Sequence, residues 1–197
     1  MFNIIPCAAG CGRSAITGSP VCTAHLANPE RDSARIVNLI RKQKSIKDLN
    51  AEGLSFEDED FSGRSFSGCG FNRASFTRCT FSQTVMRMSF FDFAKFDSCI
   101  FESSDLQFLS FAGAHLFDCL FEKSELVYLN YTGSTIYACS FSQSNLYYSR
   151  FINTGIALSD FTDCNLTSVD FTGFRQKSLS FKFSNTAEAI FDTKEQL

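Results

Sequence analysis

Residues 69–81, which read CGFNRASFTRCTF, decide the fold of this 197-residue chain. A phenylalanine recurs every five residues in this stretch, and a small residue stands two positions before each phenylalanine. A period of five fits neither an α-helix nor a flat strand. It fits a very short strand followed by a turn, because residues two apart in an extended segment point to the same side. The small and the large residue are therefore predicted to face inward, and the other three to form the surface and the turn.

The same pattern extends over residues 56–171. All 24 positions reached in steps of five from Phe56 are large and apolar, and 18 of the 24 positions two residues earlier are Ala, Cys, Ser or Thr. A second period of twenty is superimposed, because one column is phenylalanine throughout from Phe61 to Phe161. Four pentads are therefore predicted to close one coil, with equivalent residues stacked about 4.8 Å apart on neighbouring coils. Six full coils give a rod about 29 Å long.

The pentads resemble those of the pentapeptide-repeat family, whose pattern is a small residue, a polar residue, Leu or Phe, and two variable residues. Cys69-Gly70-Phe71-Asn72-Arg73 and Ala74-Ser75-Phe76-Thr77-Arg78 are typical segments, and the resemblance covers residues 46–192 without an insertion. It implies an all-β fold, a right-handed quadrilateral β-helix. The family does not imply a single function.

The two ends of the repeat carry different sequences, as a solenoid requires to cover its terminal coils. A capping helix is predicted over about residues 29–44, because Asn28 can cap it and Pro29 suits its first turn. At the other end Gln176 replaces a core residue, which indicates a degenerate seventh coil. The predicted organisation is a head at 1–28, the capping helix at 29–45, and the β-helix with its degenerate last coil at 46–197.

The head contains four metal-ligand residues in the order Cys-x3-Cys-x10-Cys-x2-His, namely Cys7, Cys11, Cys22 and His25. Two close ligands, a loop and two further ligands are typical of a small tetrahedral zinc site. The segment resembles the short Cys-Cys-Cys-His zinc knuckles of several nucleic-acid-associated and phage-type proteins. Because the protein supplies four ligands, the zinc is expected to be structural. The alternative is that these are four unrelated residues in a flexible tail. Arg13 and the basic helix would let the head contact nucleic acid, and the alternative to that role is a cap that only shields the core.

Large apolar residues also occupy outward positions of the repeat. On the face that contains Leu106 they form one column, and a second pair lies on the opposite face, so that the candidate interaction residues are Met88, Phe108, Val127, Tyr128, Tyr147 and Tyr148, together with Phe117 and Tyr137. Exposed apolar patches of this size mark interfaces. The alternative is that the aromatic rings stack only to stabilise the β-helix.

An acidic group is predicted on the face between these two, formed by Glu102, Asp105, Glu122 and Glu125. Like charges stacked one strand apart are unfavourable. The group therefore indicates either a cationic partner or a surface that serves solubility.

Charge and composition narrow the remaining possibilities. The net charge of −3 divides into +4 for residues 1–45 and −7 for the rest. Of the two histidines, His25 belongs to the head motif, and His115 has no evident Cys or Ser nucleophile beside it. No phosphate-binding glycine loop is present either, so we expect no enzyme. No apolar run long enough for a membrane helix and no secretory signal is evident. The nine cysteines follow the head motif and the repeat instead of a disulfide pattern, so a reducing cytoplasm is expected.

These patterns favour a non-enzymatic scaffold that binds a protein. A second copy of the chain, bound through an aromatic column, is one such partner. One alternative comes from the family resemblance, because some pentapeptide-repeat proteins mimic duplex DNA and protect type II topoisomerases such as gyrase. The other alternative is a nucleic-acid-binding zinc head with the rod as a spacer.

Overall fold

The computed structural model describes residues 5–192. One α-helix, α1 (Pro29–Arg41), precedes a series of three-residue strands that recur at intervals of ten or twenty residues. The strands are β1 (Ser45–Lys47), β2 (Ser55–Glu57), β3 (Ser65–Ser67), β4 (Ser75–Thr77), β5 (Val85–Arg87), β6 (Lys95–Asp97), β7 (Asp105–Gln107), β8 (His115–Phe117), β9 (Glu125–Val127), β10 (Thr135–Tyr137), β11 (Gly155–Ala157) and β12 (Arg175–Lys177). Short 3₁₀ turns lie at Thr23–His25 and Thr186–Glu188.

The strands pair in parallel, each with the strand twenty residues later. One sheet has the order β1-β3-β5-β7-β9, and the other has β12-β11-β10-β8-β6-β4-β2. Leu106 lies opposite Leu126 in the first sheet. The two remaining faces are joined by single parallel bridges at the same interval, such as Ile100 with Leu120. The chain therefore forms a four-sided parallel β-helix with a twenty-residue coil, as the two sequence periods predict.

The core consists of the inward columns. All 24 large positions from Phe56 to Phe171 are buried, and their rings stack between coils, with Phe101 and Phe121 at 4.6 Å and 3°. The small column is also buried, and its cysteines serve as small core residues whose thiols donate to backbone carbonyls, as Cys99 does to Phe76 at 3.5 Å.

A left-handed residue turns the chain at almost every corner. It stands two positions after each core residue, and where it is not glycine its φ lies between 49° and 65°. This geometry explains how five residues can complete one side of the coil, because a single left-handed residue redirects the chain within a tight turn.

Helix α1 closes the N-terminal end. Asn28 Oδ1 accepts the N–H of Arg31 at 2.9 Å, and Ile36, Val37 and Ile40 are buried against the first coils. The helix ends at Arg41, three residues earlier than the sequence predicts, because the chain must turn into β1.

Two residues that break the small inward column contact α1 instead. Glu59 pairs with Arg41 at 2.6 Å, and Arg64 Nε donates to the carbonyl of Ile40 at 3.1 Å. The repeat is thus interrupted where it meets its cap.

The last coil is less regular. Gln176 is exposed in β12, while Phe181 stacks on Phe161 at 5.2 Å and Phe191 on Phe171 at 5.0 Å, both only half-buried. The final part of the predicted degenerate coil, residues 193–197, lies outside the described residues.

Candidate metal centre and interaction surfaces

The head brings its four ligand residues together through two tight turns. The N–H of Gly10 donates to the carbonyl of Cys7 at 2.9 Å, which folds Cys7 and Cys11 toward each other, and Pro6 pairs with Ser14 as a short antiparallel bridge. The 3₁₀ turn at Thr23–His25 places His25 beside Cys22.

The donor atoms of Cys7, Cys11, Cys22 and His25 all lie within 4.8 Å of one another. The two sulfurs of Cys11 and Cys22 are 3.5 Å apart, and His25 Nδ1 lies 3.6 Å from Cys7 Sγ and 3.4 Å from Cys22 Sγ. A tetrahedral ion with bonds of about 2.3 Å to sulfur separates two sulfur ligands by roughly 3.8 Å. A disulfide would need roughly 2.05 Å between sulfurs. The arrangement therefore fits four ligands around one ion.

Hydrogen bonding favours the thiolate form of one ligand. The backbone N–H of Cys22 donates to Cys7 Sγ at 3.3 Å, and this bond is the largest cause that, with the hydrogen bonds of Ala9 and Cys11, lowers the pKa of Cys7 to about 6. Burial raises the pKa of Cys22. Three cysteines and one histidine form a donor set that can hold a soft or borderline divalent metal.

The head packs directly on the first coil. The N–H of Thr17 donates to the carbonyl of Asn50 at 2.9 Å, Asn50 N–H donates to Thr17 Oγ1 at 2.8 Å, and Asn50 Nδ2 donates to the carbonyl of Ala15 at 2.8 Å. Ile16 is buried in the common core, and Thr23 Oγ1 donates to the carbonyl of Glu52. The head thus supplies backbone partners to an edge of the β-helix that would otherwise lack them.

Four residues form the aromatic ladder, which we define as Met88, Phe108, Tyr128 and Tyr148, one on each of four successive coils. All four are exposed, with Met88 at 54% and Phe108 at 53%. The rings of Phe108 and Tyr128 stack at 5.0 Å and 6°, and those of Tyr128 and Tyr148 at 5.5 Å and 28°.

Two half-buried residues lie beside the ladder. Tyr147 contacts Tyr148 edge-on at 4.6 Å, and Val127 occupies the equivalent position on the coil before. The structure therefore brings together all six residues that the sequence singled out on this face.

The ladder residues are also the left-handed residues of their corners, with φ between 49° and 58°. The residues that precede and follow them in the same column are Gly68 and Ser168. Bulky residues are uncommon in this conformation, which favours glycine, asparagine and aspartate. The ladder is therefore a bounded stripe of large side chains at positions where the backbone prefers small or polar ones.

The second predicted pair lies on the opposite sheet. Phe117 and Tyr137 are exposed and stack at 5.3 Å and 2°. They occupy neighbouring strands β8 and β10, and with only two rings they form a smaller patch than the ladder.

The acidic residues divide between two faces. Asp105 and Glu125 are the first residues of β7 and β9, so they lie on the same face as Leu106 and the ladder. The sequence predicted them on the face of Phe101, which is wrong. Glu102 follows the core residue Phe101 on the adjacent face. The chain turns the corner after the left-handed residue and before the next strand, so the first residue of each strand already belongs to the next face.

Two exposed phenylalanines that the sequence pattern did not single out lie on the same coil as Met88, on the face of Phe91 and at the corner after it. Phe90 and Phe93 are exposed, and the guanidinium of Arg73 lies 5.5 Å above the ring of Phe93. Phe90, Ile5 and Leu49 help to line a cleft of about 310 Å³ between the head and the β-helix. Phe93 could have been found from its position two residues after the core residue, but the cleft depends on how the head docks.

The chain is similar to proteins of one repeat family. Residues 114–191 match the sequence model of the family described as pentapeptide repeat region. No curated protein matches the chain. Within residues 5–192, no helix is both long and apolar enough to cross a membrane.

Several solved structures resemble it. A trypsin-treated form of QnrB1, a plasmid-mediated fluoroquinolone resistance protein, has 14% identity and a TM-score of 0.46, covering 76% of this chain and 90% of that one. HetL, a pentapeptide repeat protein involved in heterocyst differentiation regulation from the cyanobacterium Nostoc, has 12% identity and a TM-score of 0.36, covering 83% and 98%. Rfr23 from the cyanobacterium Cyanothece has 11% identity and a TM-score of 0.33, covering 83% and 99%. Likenesses with TM-scores this low support no inference about function.

Proposed function

We propose that this chain, a four-sided parallel β-helix whose residues 114–191 match the model of the pentapeptide-repeat family, is a non-enzymatic scaffold that binds a protein through the aromatic ladder. The observation that carries the proposal is the ladder itself. Four large side chains are exposed in a row, on left-handed residues, at a corner where glycine or a polar residue stands on the coils before and after. Both the exposure and the backbone conformation are unfavourable in the free protein.

The orientation of the rings favours a protein over a nucleic acid or a sugar. A base or a sugar ring stacks on an open aromatic face. Tyr128 has Phe108 on one face at 5.0 Å and Tyr148 on the other at 5.5 Å. An inserted ring would need roughly 3.4 Å on each side, the rise of stacked bases. The ladder therefore offers ring edges, which pack against the apolar side chains of a protein.

We further propose that Cys7, Cys11, Cys22 and His25 hold one structural zinc ion. The donor spacing is that of a tetrahedral site, and four protein ligands leave no position for a substrate. Because the head is too small to bury a core of its own, metal binding would supply the free energy that folds it. The folded head in turn covers the edge of the first coil at Asn50.

Photo-crosslinking in the cells that make the protein tests the ladder. A benzophenone amino acid replaces Phe108 in one variant and Gln143 in a control variant, since Gln143 is an exposed left-handed residue on the neighbouring corner. We expect one discrete protein adduct from position 108 that position 143 does not give. Equal labelling patterns at the two positions would contradict the proposal. An adduct at twice the chain mass would identify a second copy as the partner.

Mimicry of DNA for a type II topoisomerase is the alternative function. The acidic side chains that would support it are interrupted by the ladder and partly neutralised, since Arg87 pairs with Asp105. If the alternative holds, the protein protects gyrase from a quinolone and the double variant Glu102→Lys, Glu122→Lys does not, while Cys22→Ser still does. We expect no protection by the unaltered protein.

A further inference from the structure

We propose that the partner element of the ladder is a basic amphipathic α-helix that lies along the axis of the β-helix. The inference rests on the proposed function and adds the chemistry of the partner. It follows from two columns of side chains on one face, an apolar one and an acidic one, and from their axial spacing.

The apolar column matches the repeat of an α-helix laid along the rod. Coils of the β-helix are about 4.8 Å apart, and a helix rises about 5.4 Å per turn. The mismatch is about 0.6 Å per turn, or about 2 Å over the three steps from Met88 to Tyr148. One apolar residue per turn of the partner can therefore meet one ladder residue per coil. An extended strand, at about 3.3 Å per residue, would fall out of step after one coil.

The acidic column supplies the charge complementarity. Asp105 and Glu125 lie opposite each other on paired strands, so two like charges are one strand spacing apart. Arg87 pairs with Asp105, whereas the carboxylate of Glu125 accepts a hydrogen bond from the side-chain amide of Asn145 at 2.7 Å. Within the described residues, no cation pairs with Glu125, so a lysine or arginine of the partner would relieve the repulsion.

The two columns lie within reach of one helix. Glu125 precedes Tyr128 by three residues, so their backbones are at most about 10 Å apart. An α-helix with its side chains is about 10–12 Å wide. A helix whose apolar stripe rests on the ladder can therefore place the basic residues that flank this stripe over Glu125.

The test uses the metal-loaded full-length protein and a synthetic amphipathic helix of about 18 residues, long enough to span the ladder, built from leucine and lysine. The readout is NMR of the methionine methyl groups. Met88 begins the ladder and is exposed, while Met86, two residues earlier, is buried in the core and serves as an internal reference. We expect the peptide to shift the methyl signal of Met88 but not that of Met86. A helix that does not perturb Met88 at saturating peptide would overturn the proposal.

Two matched substitutions test the charge. We expect Glu125→Lys to weaken binding of the leucine–lysine peptide by about tenfold or more. The same substitution should strengthen binding of a peptide with glutamate in place of lysine. Asp97→Lys makes the same change of charge on the opposite sheet, and we expect it to change affinity less than about twofold. Equal effects of the two substitutions would show non-specific attraction and overturn the proposal. A discrete adduct from position 108 combined with either negative result would keep protein binding and reject the basic helix.

Discussion

Replacement of Tyr131 by phenylalanine is expected to stabilise the protein. Tyr131 belongs to the core column of Phe111 and Phe151, its side chain is fully buried, and its ring stacks on both neighbours at 5.1 and 4.7 Å. The hydroxyl has no hydrogen-bond partner among the described residues. A buried hydroxyl without a partner loses its hydration and receives nothing in exchange.

The magnitude follows from the missing bond. An unpaired buried polar group costs about 1–3 kcal/mol, and removal of one oxygen leaves a void smaller than a methyl group, which costs less than about 1 kcal/mol. The net gain for Tyr131→Phe is therefore about 1–2 kcal/mol in the free energy of unfolding. For a chain of this size that raises Tm by about 2–8 °C. Urea unfolding followed by circular dichroism measures the free energy, and calorimetry measures Tm.

The pH dependence gives an independent check. Burial raises the pKa of Tyr131 well above its ordinary value of 10.0. A group whose pKa is higher in the folded state makes its full contribution to stability at pH values below its pKa in the unfolded state. That contribution is lost as the pH rises toward its pKa in the folded state. The advantage of Tyr131→Phe should therefore be constant below pH 9 and grow by about 1.4 kcal/mol per pH unit above pH 10.

A matched substitution in the opposite direction completes the design. Phe111→Tyr adds a hydroxyl one coil away in the same column, where the ring is also fully buried. It should destabilise the protein by about 1–3 kcal/mol. If Tyr131→Phe leaves stability unchanged and flat across alkaline pH, the hydroxyl is satisfied in solution and the reasoning is refuted.

Three further predictions concern the head and the ladder. Cys22→Ser should reduce bound zinc from one ion per chain to none in native mass spectrometry, since three ligands hold the ion weakly; zinc retained at one per chain would contradict the site. Chelation should accelerate amide exchange at Asn50, which bonds to the head, and not at Asn130, its counterpart four coils later; equal exchange at both would show that the head does not cap the coil. With the benzophenone amino acid placed at position 128 instead of 108, Phe108→Asn should abolish partner crosslinking while changing stability by less than about 1 kcal/mol, because asparagine tolerates the left-handed corner that the ring occupies; a loss of fold by circular dichroism would show that the ladder is structural.

The β-helix could be predicted from the sequence because every pentad repeats the same packing arrangement in the core. Large and small residues two apart identify the inward columns, and every large position from Phe56 to Phe171 is buried. The breaks in the small column were not interpretable in the same way. Glu59 and Arg64 differ from the pattern because they contact helix α1, and a contact between distant segments leaves no periodic trace.

The surfaces were predictable only in part. Spacing alone brings Phe108 over Tyr128, because residues twenty apart must stack. Spacing does not reveal where the chain turns, so Asp105 and Glu125 were assigned to the wrong side of a corner. The docking of Thr17 on Asn50 lay beyond any pattern, since it joins a non-repeating segment to the first coil.

The position of the ladder separates an architectural role from a binding role. The corner itself does not require large residues, because Gly113 and Gly133 occupy equivalent corners on other faces of the same coils. A ring in the left-handed conformation costs about 1–2 kcal/mol, and each stacked pair returns about 0.5–1.5 kcal/mol. Two stacked pairs thus return about 1–3 kcal/mol against about 3–6 kcal/mol for three rings, so stacking at most balances the backbone cost and leaves the exposure of the apolar surface uncompensated in the free chain. A partner that covers the ladder would remove that exposure, and the core, which is already closed beneath, would not change.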